Sequence, residues 1–153
     1  MTSPASEVIH ALTGKTLVTA ESCTGGGIGG ALTAVPGASE VYKGGVISYC
    51  NEIKHRLLGV SGEILERYGA VSAQTAGAMA SGVRALMQAD IAVSVTGLAG
   101  PGGDEFGHEV GTVFIGFESG SKTVAKEYHF SGDREAVRAQ AVEAALKLIL
   151  ECI

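Results

Sequence analysis

The chain has 153 residues and a formal charge of −5, long enough to bury one core without disulfide or metal staples and of the wrong sign for a nucleic-acid surface. Its three cysteines, Cys23, Cys50 and Cys152, have no C-x-x-C spacing, which suggests neither a zinc knuckle nor a disulfide framework and predicts a reduced, cytoplasmic protein. Met1 to Glu7 lacks a basic region with a long apolar run behind it, so no secretory signal or membrane anchor is expected. Residues 1–153 are expected to form a single domain whose partners are small molecules or protein chains.

Ser6 precedes Glu7 to Leu12, a short helical pattern stopped at Gly14, and a strand is predicted over Lys15 to Ala20. Thr24 to Ala34 has Ile28 and Leu32 four apart and predicts a glycine-rich helix ended by Pro36-Gly37. Gly45 to Cys50 reads as the second strand, and Asn51 caps a helix through Ile53, Lys54, Leu57 and Leu58 to Gly59. Ser61 and Ser72 are candidate N-caps of the next two helices, the second carrying Ala76, Met79, Val83 and Leu86 on one face.

Asp90 leads into a third strand, Ile91 to Val95, and Thr96 to Gly111 is a long glycine- and proline-bearing loop of the kind that carries function. Thr112 to Glu118 and Thr123 to Phe130 are joined by Ser119-Gly120-Ser121-Lys122, which predicts an antiparallel hairpin. Asp133 opens a last helix burying Val137, Ala141, Ala145 and Leu148, with Glu143 and Lys147 outside. This order predicts an α/β fold: a three-layer α/β/α sandwich on a mixed, mostly parallel sheet of about five strands.

Three turns fall at the carboxyl ends of predicted strands: Glu21 to Gly25, Tyr49 to Lys54, and Thr96 to Gly102. Ligands of open α/β sheets bind outside those ends, so the three turns are expected to share one crevice. Ser22 stands where a strand gives way to a helix, as a nucleophile with the N–H groups of Cys23 to Gly26 around an oxyanion, or as a plain N-cap serine. Cys23 competes for the nucleophile role, because a thiol at a helix start can ionise more easily; Cys50 and Cys152 read as core thiols.

His10, His55 and His129 read as surface groups, so a serine nucleophile needs another base. Lys54 is the candidate, since burial disfavours a lysine's charged form, against the commoner fate of a solvated helix lysine. The glycine runs lack the Gly-Lys-Ser/Thr ending of a P-loop, and Asp104, Glu105, His108 and Glu109 match no metal-ligand spacing. Arg134, beside Gly132-Asp133 at a helix start, suits a phosphate or a surface ion pair.

Several blocks together, Glu21-Ser22-Cys23-Thr24-Gly25-Gly26, Tyr42 with Gly44 to Tyr49, Asn51 and Lys54, Gly69 to Ser72, Thr96 to Pro101, and Ser131 to Arg134, resemble the CinA C-terminal family in order over nearly the whole chain. Longer members carry a further N-terminal domain. The resemblance implies a nicotinamide-nucleotide amidohydrolase of the Ser–Lys type, converting nicotinamide mononucleotide to nicotinic acid mononucleotide and ammonia without metal or cofactor, in a homo-oligomer. It implies catalytic roles for Ser22, Lys54 and Tyr49, with Thr96 and Arg134 among the functional positions. On that reading Tyr49 relays or orients the proton, Glu21 meets the pyridinium charge, and Arg134, Thr96 and the loop N–H groups, including those of Thr24, Gly25 and Gly26, hold the substrate. Gly27 and the acidic tip Gly103 to His108 depart from the family pattern. The rival reading is a regulatory module that holds a nucleotide phosphate without turnover.

Overall fold

The computed structural model describes residues 2–153; Met1 of the predicted domain lies outside them. Helix α1 (Pro4–Ala11) begins earlier than expected: Ser3, not Ser6, precedes it, and the Ser3 hydroxyl accepts from the Ser6 N–H at 3.1 Å with proline at the start. Strand β1 (Leu17–Glu21) leads through the serine turn into α2 (Gly27–Thr33). This helix starts three residues later than expected because Gly25 and Gly26 take φ of 58° and 102°, left-handed backbone that no helix accommodates.

After a 3₁₀ turn at Ala38–Glu40 come β2 (Tyr42–Ile47), α3 (Asn51–Leu58), α4 (Gly62–Tyr68) and α5 (Ala73–Met87). Ser61 and Ser72 cap α4 and α5 as expected, each accepting from an N–H three residues on at 3.1 Å. Strand β2 lies ahead of its predicted span Gly45 to Cys50, because its parallel partner β1 ends at Glu21, opposite Ile47. Beyond that pair Tyr49 and Cys50 turn out of the sheet. The cap position of α3 is therefore Cys50 and not Asn51.

Strand β3 (Ile91–Gly97) and the hairpin β4 (Thr112–Glu118) and β5 (Thr123–His129) complete a five-stranded sheet in the order β2-β1-β3-β4-β5. Strands β2, β1 and β3 are parallel neighbours, while β4 is antiparallel to both β3 and β5, so β4 alone runs against the rest. Strands β1, β3 and β4 are buried almost throughout, whereas β2 and β5 alternate between covered and open positions as edge strands do.

Helix α6 (Arg134–Cys152), capped by Asp133, packs with α1 and α2 on one face of the sheet, and α3, α4 and α5 cover the other. That is the expected three-layer α/β/α sandwich. Val137, Ala141, Ala145 and Leu148 of α6 are buried and Glu143 and Lys147 pair outside at 3.3 Å. Leu86 departs from expectation at 53% exposed; in the last turn of α5 it is Met87 that packs against the core. Cys50 is exposed at the start of α3, outside the sheet, and so is not the core thiol expected, while Cys152 at the end of α6 is half-buried and packs against the core. Among the described residues no helix is long and apolar enough to cross a membrane.

Candidate active site

The parallel run of β2, β1 and β3 sends their three carboxyl ends to one side, and the turns after them meet there as expected. Lys54, one turn into α3, is only 1% exposed. Its Nζ lies 2.8 Å from the Ser48 carbonyl oxygen, 3.0 Å from Ser22 Oγ and 3.4 Å from the Tyr49 carbonyl oxygen. Desolvation pulls its pKa down to about 8, the nearby Cys50 and Cys23 acting weakly the other way.

These three oxygens suit both protonation states. An ammonium donates to all three; a neutral amine donates to the two carbonyls and turns its lone pair to the Ser22 O–H. A carbonyl cannot give a proton, so of these three oxygens only that of the serine can. Ser22 itself is held by its N–H to the Val95 carbonyl at 3.0 Å, and its hydroxyl also reaches the Tyr49 carbonyl at 3.5 Å.

The turn after Ser22 differs from the expected ring of free N–H groups. Gly25 N–H is spent on the Ser22 carbonyl at 3.0 Å. The Cys23 and Thr24 N–H groups, in contrast, find no oxygen acceptor among the described residues. Gly25 and Gly26 do not line the cavity; they shape the turn. Cys23 borders the cavity but is 5% exposed and packs in the core, and burial pushes its thiol up to about 11, so it is protonated at neutral pH.

Glu21 is a correction. Its carboxylate is buried and accepts from the Thr24 hydroxyl at 2.6 Å, the Ile28 N–H at 2.9 Å and the Gly29 N–H at 3.0 Å, which makes it the cap of α2 facing away from the cavity. Thr24 shares that role and likewise does not line the cavity. Held by these three donors and outside the cavity lining, the carboxylate does not face a ligand's cation there.

Tyr49 is also corrected. The phenol is exposed and accepts from Arg134 Nη2 at 3.0 Å, and it is the backbone carbonyl, not the hydroxyl, that touches the Ser22–Lys54 pair. Arg134 Nη1 donates to the Gly100 carbonyl at 2.7 Å, so this one guanidinium ties the second turn to the third. Thr96 lines the cavity, and its hydroxyl donates to the Ala70 carbonyl at 2.7 Å, fastening the α4–α5 connection to the end of β3.

All of this borders a cavity of about 740 Å³, the size of a small-molecule site. Ser22, Lys54, Tyr49, Asn51, Thr96 and Arg134 supply polar lining, and Leu65, Val71, Leu98 and Phe106 an apolar side. Among the described residues no histidine lines it. The acidic loop tip turns inward on itself: Asp104 accepts from the Phe106 and His108 N–H groups and from the His108 ring at 3.2, 3.0 and 2.6 Å.

Two participants escaped the sequence reading. Ser48 acts through its carbonyl, which no side-chain pattern reveals. Arg138 donates from Nε to the Cys23 carbonyl at 3.0 Å and from Nη2 to the Thr24 carbonyl at 3.3 Å. The available signal was its position four residues after Arg134, on the same face of α6.

A three-layer α/β/α protein with a serine–lysine pair in a cavity at its strand ends is the class that fold and site define. The chain belongs to the CinA family: the CinA C-terminal domain matches residues 2–153. It is 48% identical over 134 residues to a CinA-like protein of Thermotoga neapolitana, covering 87% of this chain and 32% of that one. It is also 49% identical over 144 residues to a putative competence-damage inducible protein of Caldicellulosiruptor bescii, covering 93% and 35%. The chain thus spans about a third of the length of these relatives. Among solved structures it resembles a CinA superfamily protein of Escherichia coli, with a TM-score of 0.96 at 36% identity over 98% of this chain and 88% of that one. A competence damage-inducible protein A of Klebsiella pneumoniae gives 0.94 at 41% identity over 97% and 93%.

Proposed function

We propose that the chain is an amidohydrolase that converts nicotinamide mononucleotide and water to nicotinic acid mononucleotide and ammonia, with Ser22 as nucleophile and Lys54 as base. The observation that carries this reading is the buried Lys54 Nζ at 3.0 Å from Ser22 Oγ, its pKa drawn down to about 8. A lysine so placed is partly neutral at physiological pH, and its lone pair is directed at the Ser22 hydroxyl.

In the first half-reaction Ser22 Oγ attacks the carboxamide carbon as its proton passes to Lys54. The oxyanion is met by the Cys23 N–H, which borders the cavity and has no oxygen acceptor among the described residues. Lys54 then returns the proton to the nitrogen as the C–N bond breaks, releasing ammonia and leaving an ester on Ser22. In the second half-reaction water attacks the ester carbon with Lys54 as base, and the proton returns to Ser22 Oγ as the acid departs. Arg134, at the cavity rim and the start of α6, supplies the cation for the 5′-phosphate. Glu21, committed to α2, takes no part in binding.

The test is ammonia release from nicotinamide mononucleotide by the purified chain, with the acid product identified by chromatography. Turnover is expected, with Ser22→Ala and Lys54→Ala each losing about a thousandfold or more and the double variant little worse than either, since the pair acts as a unit. Binding of the nucleotide by the unaltered chain without ammonia would instead establish the regulatory, non-hydrolytic reading.

A further inference from the structure

The three peptide groups from Ser22 to Gly25 are each pinned at one end or both. In a trans peptide the carbonyl and the next N–H point in opposite directions within one plane. The Ser22–Cys23 peptide is fixed by its carbonyl, which accepts from Gly25 N–H at 3.0 Å, and its other end is the free Cys23 N–H. The Cys23–Thr24 peptide is fixed by Arg138 Nε on the Cys23 carbonyl at 3.0 Å, and its other end is the free Thr24 N–H. The Thr24–Gly25 peptide is fixed at both ends, by Arg138 Nη2 at 3.3 Å and by the Ser22 carbonyl.

The Cys23 and Thr24 donors are therefore each the far end of a peptide whose carbonyl is anchored. One anchor is internal to the turn. The other comes from α6, 115 residues away in the chain. The two left-handed glycines next in the chain, Gly25 and Gly26, would let the turn rotate its peptides without such an anchor. A guanidinium on two successive carbonyls makes charge-assisted bonds in fixed directions, which a lysine's single ammonium reproduces only in part.

We infer that Arg138 is a positioning residue for catalysis: by clamping the Cys23 and Thr24 carbonyls it fixes the Thr24–Gly25 peptide, whose Gly25 N–H holds the Ser22 carbonyl, and so aims the Cys23 N–H at the oxyanion formed on a carbonyl attacked by Ser22. It touches neither substrate nor nucleophile and works through the peptide plane. This inference rests on the serine-nucleophile reading of the same site. Together with Arg134 four residues earlier, it makes the first two turns of α6 the brace for all three strand-end turns: Arg138 holds the first, and Arg134 joins the second, at Tyr49, to the third, at Gly100.

The experiment compares Arg138→Met and Arg138→Lys with the unaltered chain in two reactions: steady-state hydrolysis of nicotinamide mononucleotide, and single-turnover acylation of Ser22 by p-nitrophenyl acetate. Losing alignment of the oxyanion donor is expected to lower kcat and the acylation rate about 10- to 100-fold in Arg138→Met, below the full loss of a donor. KM should stay within about twofold and the pH midpoint near 8 should not move, because Lys54 is untouched. Arg138→Lys, folded by circular dichroism, should recover part of the rate. Unchanged acylation in folded Arg138→Lys and Arg138→Met, or a loss confined to KM, overturns the proposal. Should the unaltered chain acylate but release no ammonia from the nucleotide, the substrate assignment fails while the acylation comparison still decides the role of Arg138.

Discussion

Lys54 and Ser22 are 32 residues apart in the chain and 3.0 Å apart at Nζ and Oγ. Two parallel strands make the meeting, β1 delivering the serine at its end and β2 delivering α3 from the neighbouring position. The lysine reaches the serine through the sheet's edge, buried beneath its own carbonyl partners.

This burial sets a pH profile. In the proposed mechanism Lys54 works as the neutral amine, whose fraction grows with pH until the pKa of about 8 is passed. kcat/KM for nicotinamide mononucleotide should rise about tenfold per pH unit below about 8 and level off above it, as read from initial rates between about pH 6 and 9.5. A profile already flat at about pH 6.5 would show that Lys54 is not the titrating base.

The same shift has a signature in stability. The folded pKa of about 8 lies below the ordinary lysine value of 10.5, so between these two values the unfolded chain holds more protons and folding gains as pH rises. Below about 8 both states are protonated and the cost of the buried charge is constant. The melting temperature of the unaltered chain should accordingly climb relative to Lys54→Met between about pH 8 and 10, with a constant offset between about pH 6 and 7.5.

Glu21→Gln separates capping from binding. The neutral amide keeps the shape but weakens the bonds from Ile28 N–H, Gly29 N–H and the Thr24 hydroxyl. Loss of a charged acceptor to buried donors is expected to cost about 1.5–3 kcal/mol in urea unfolding, with KM for the nucleotide within about twofold. A KM raised tenfold at full folding would return Glu21 to the substrate.

Cys23→Ala tests the rival nucleophile. With its thiol protonated by burial, the cysteine contributes packing, and turnover should stay within about fivefold of the unaltered chain. Ammonia release abolished in Cys23→Ala but retained in Ser22→Ala would reverse the assignment.

Gly82 offers a remote route to the site. A Cβ there would clash with the Leu58 carbonyl oxygen, backbone at the end of the helix that carries Lys54. Gly82→Ala must push α3 away from α5, costing about 1–3 kcal/mol. Activity should fall with the shift of Lys54, more than the folded fraction measured by urea unfolding explains.

Much of the fold was legible because its signals are local. Ser61, Ser72 and Asp133 announce their helices by side-chain chemistry acting within one turn, and the hairpin of β4 and β5 arises from a short polar connection. The candidates Ser22 and Lys54 were legible for a related reason: parallel strands of an open sheet bring the turns at their carboxyl ends to one side. Boundaries that depend on a partner were not, as β2 shows by stopping where β1 stops.

What only the tertiary structure decided is which hydrogen bonds are already spent. Sequence names Glu21, Thr24 and Tyr49 as polar groups near a reactive turn; packing commits the first two to α2 and the phenol of the third to Arg134. Arg138 shows the reverse, a residue without a motif whose reach across the chain orients the turn. A backbone carbonyl or N–H is chemically the same at every position, so its availability is a property of the folded network and not of residue type.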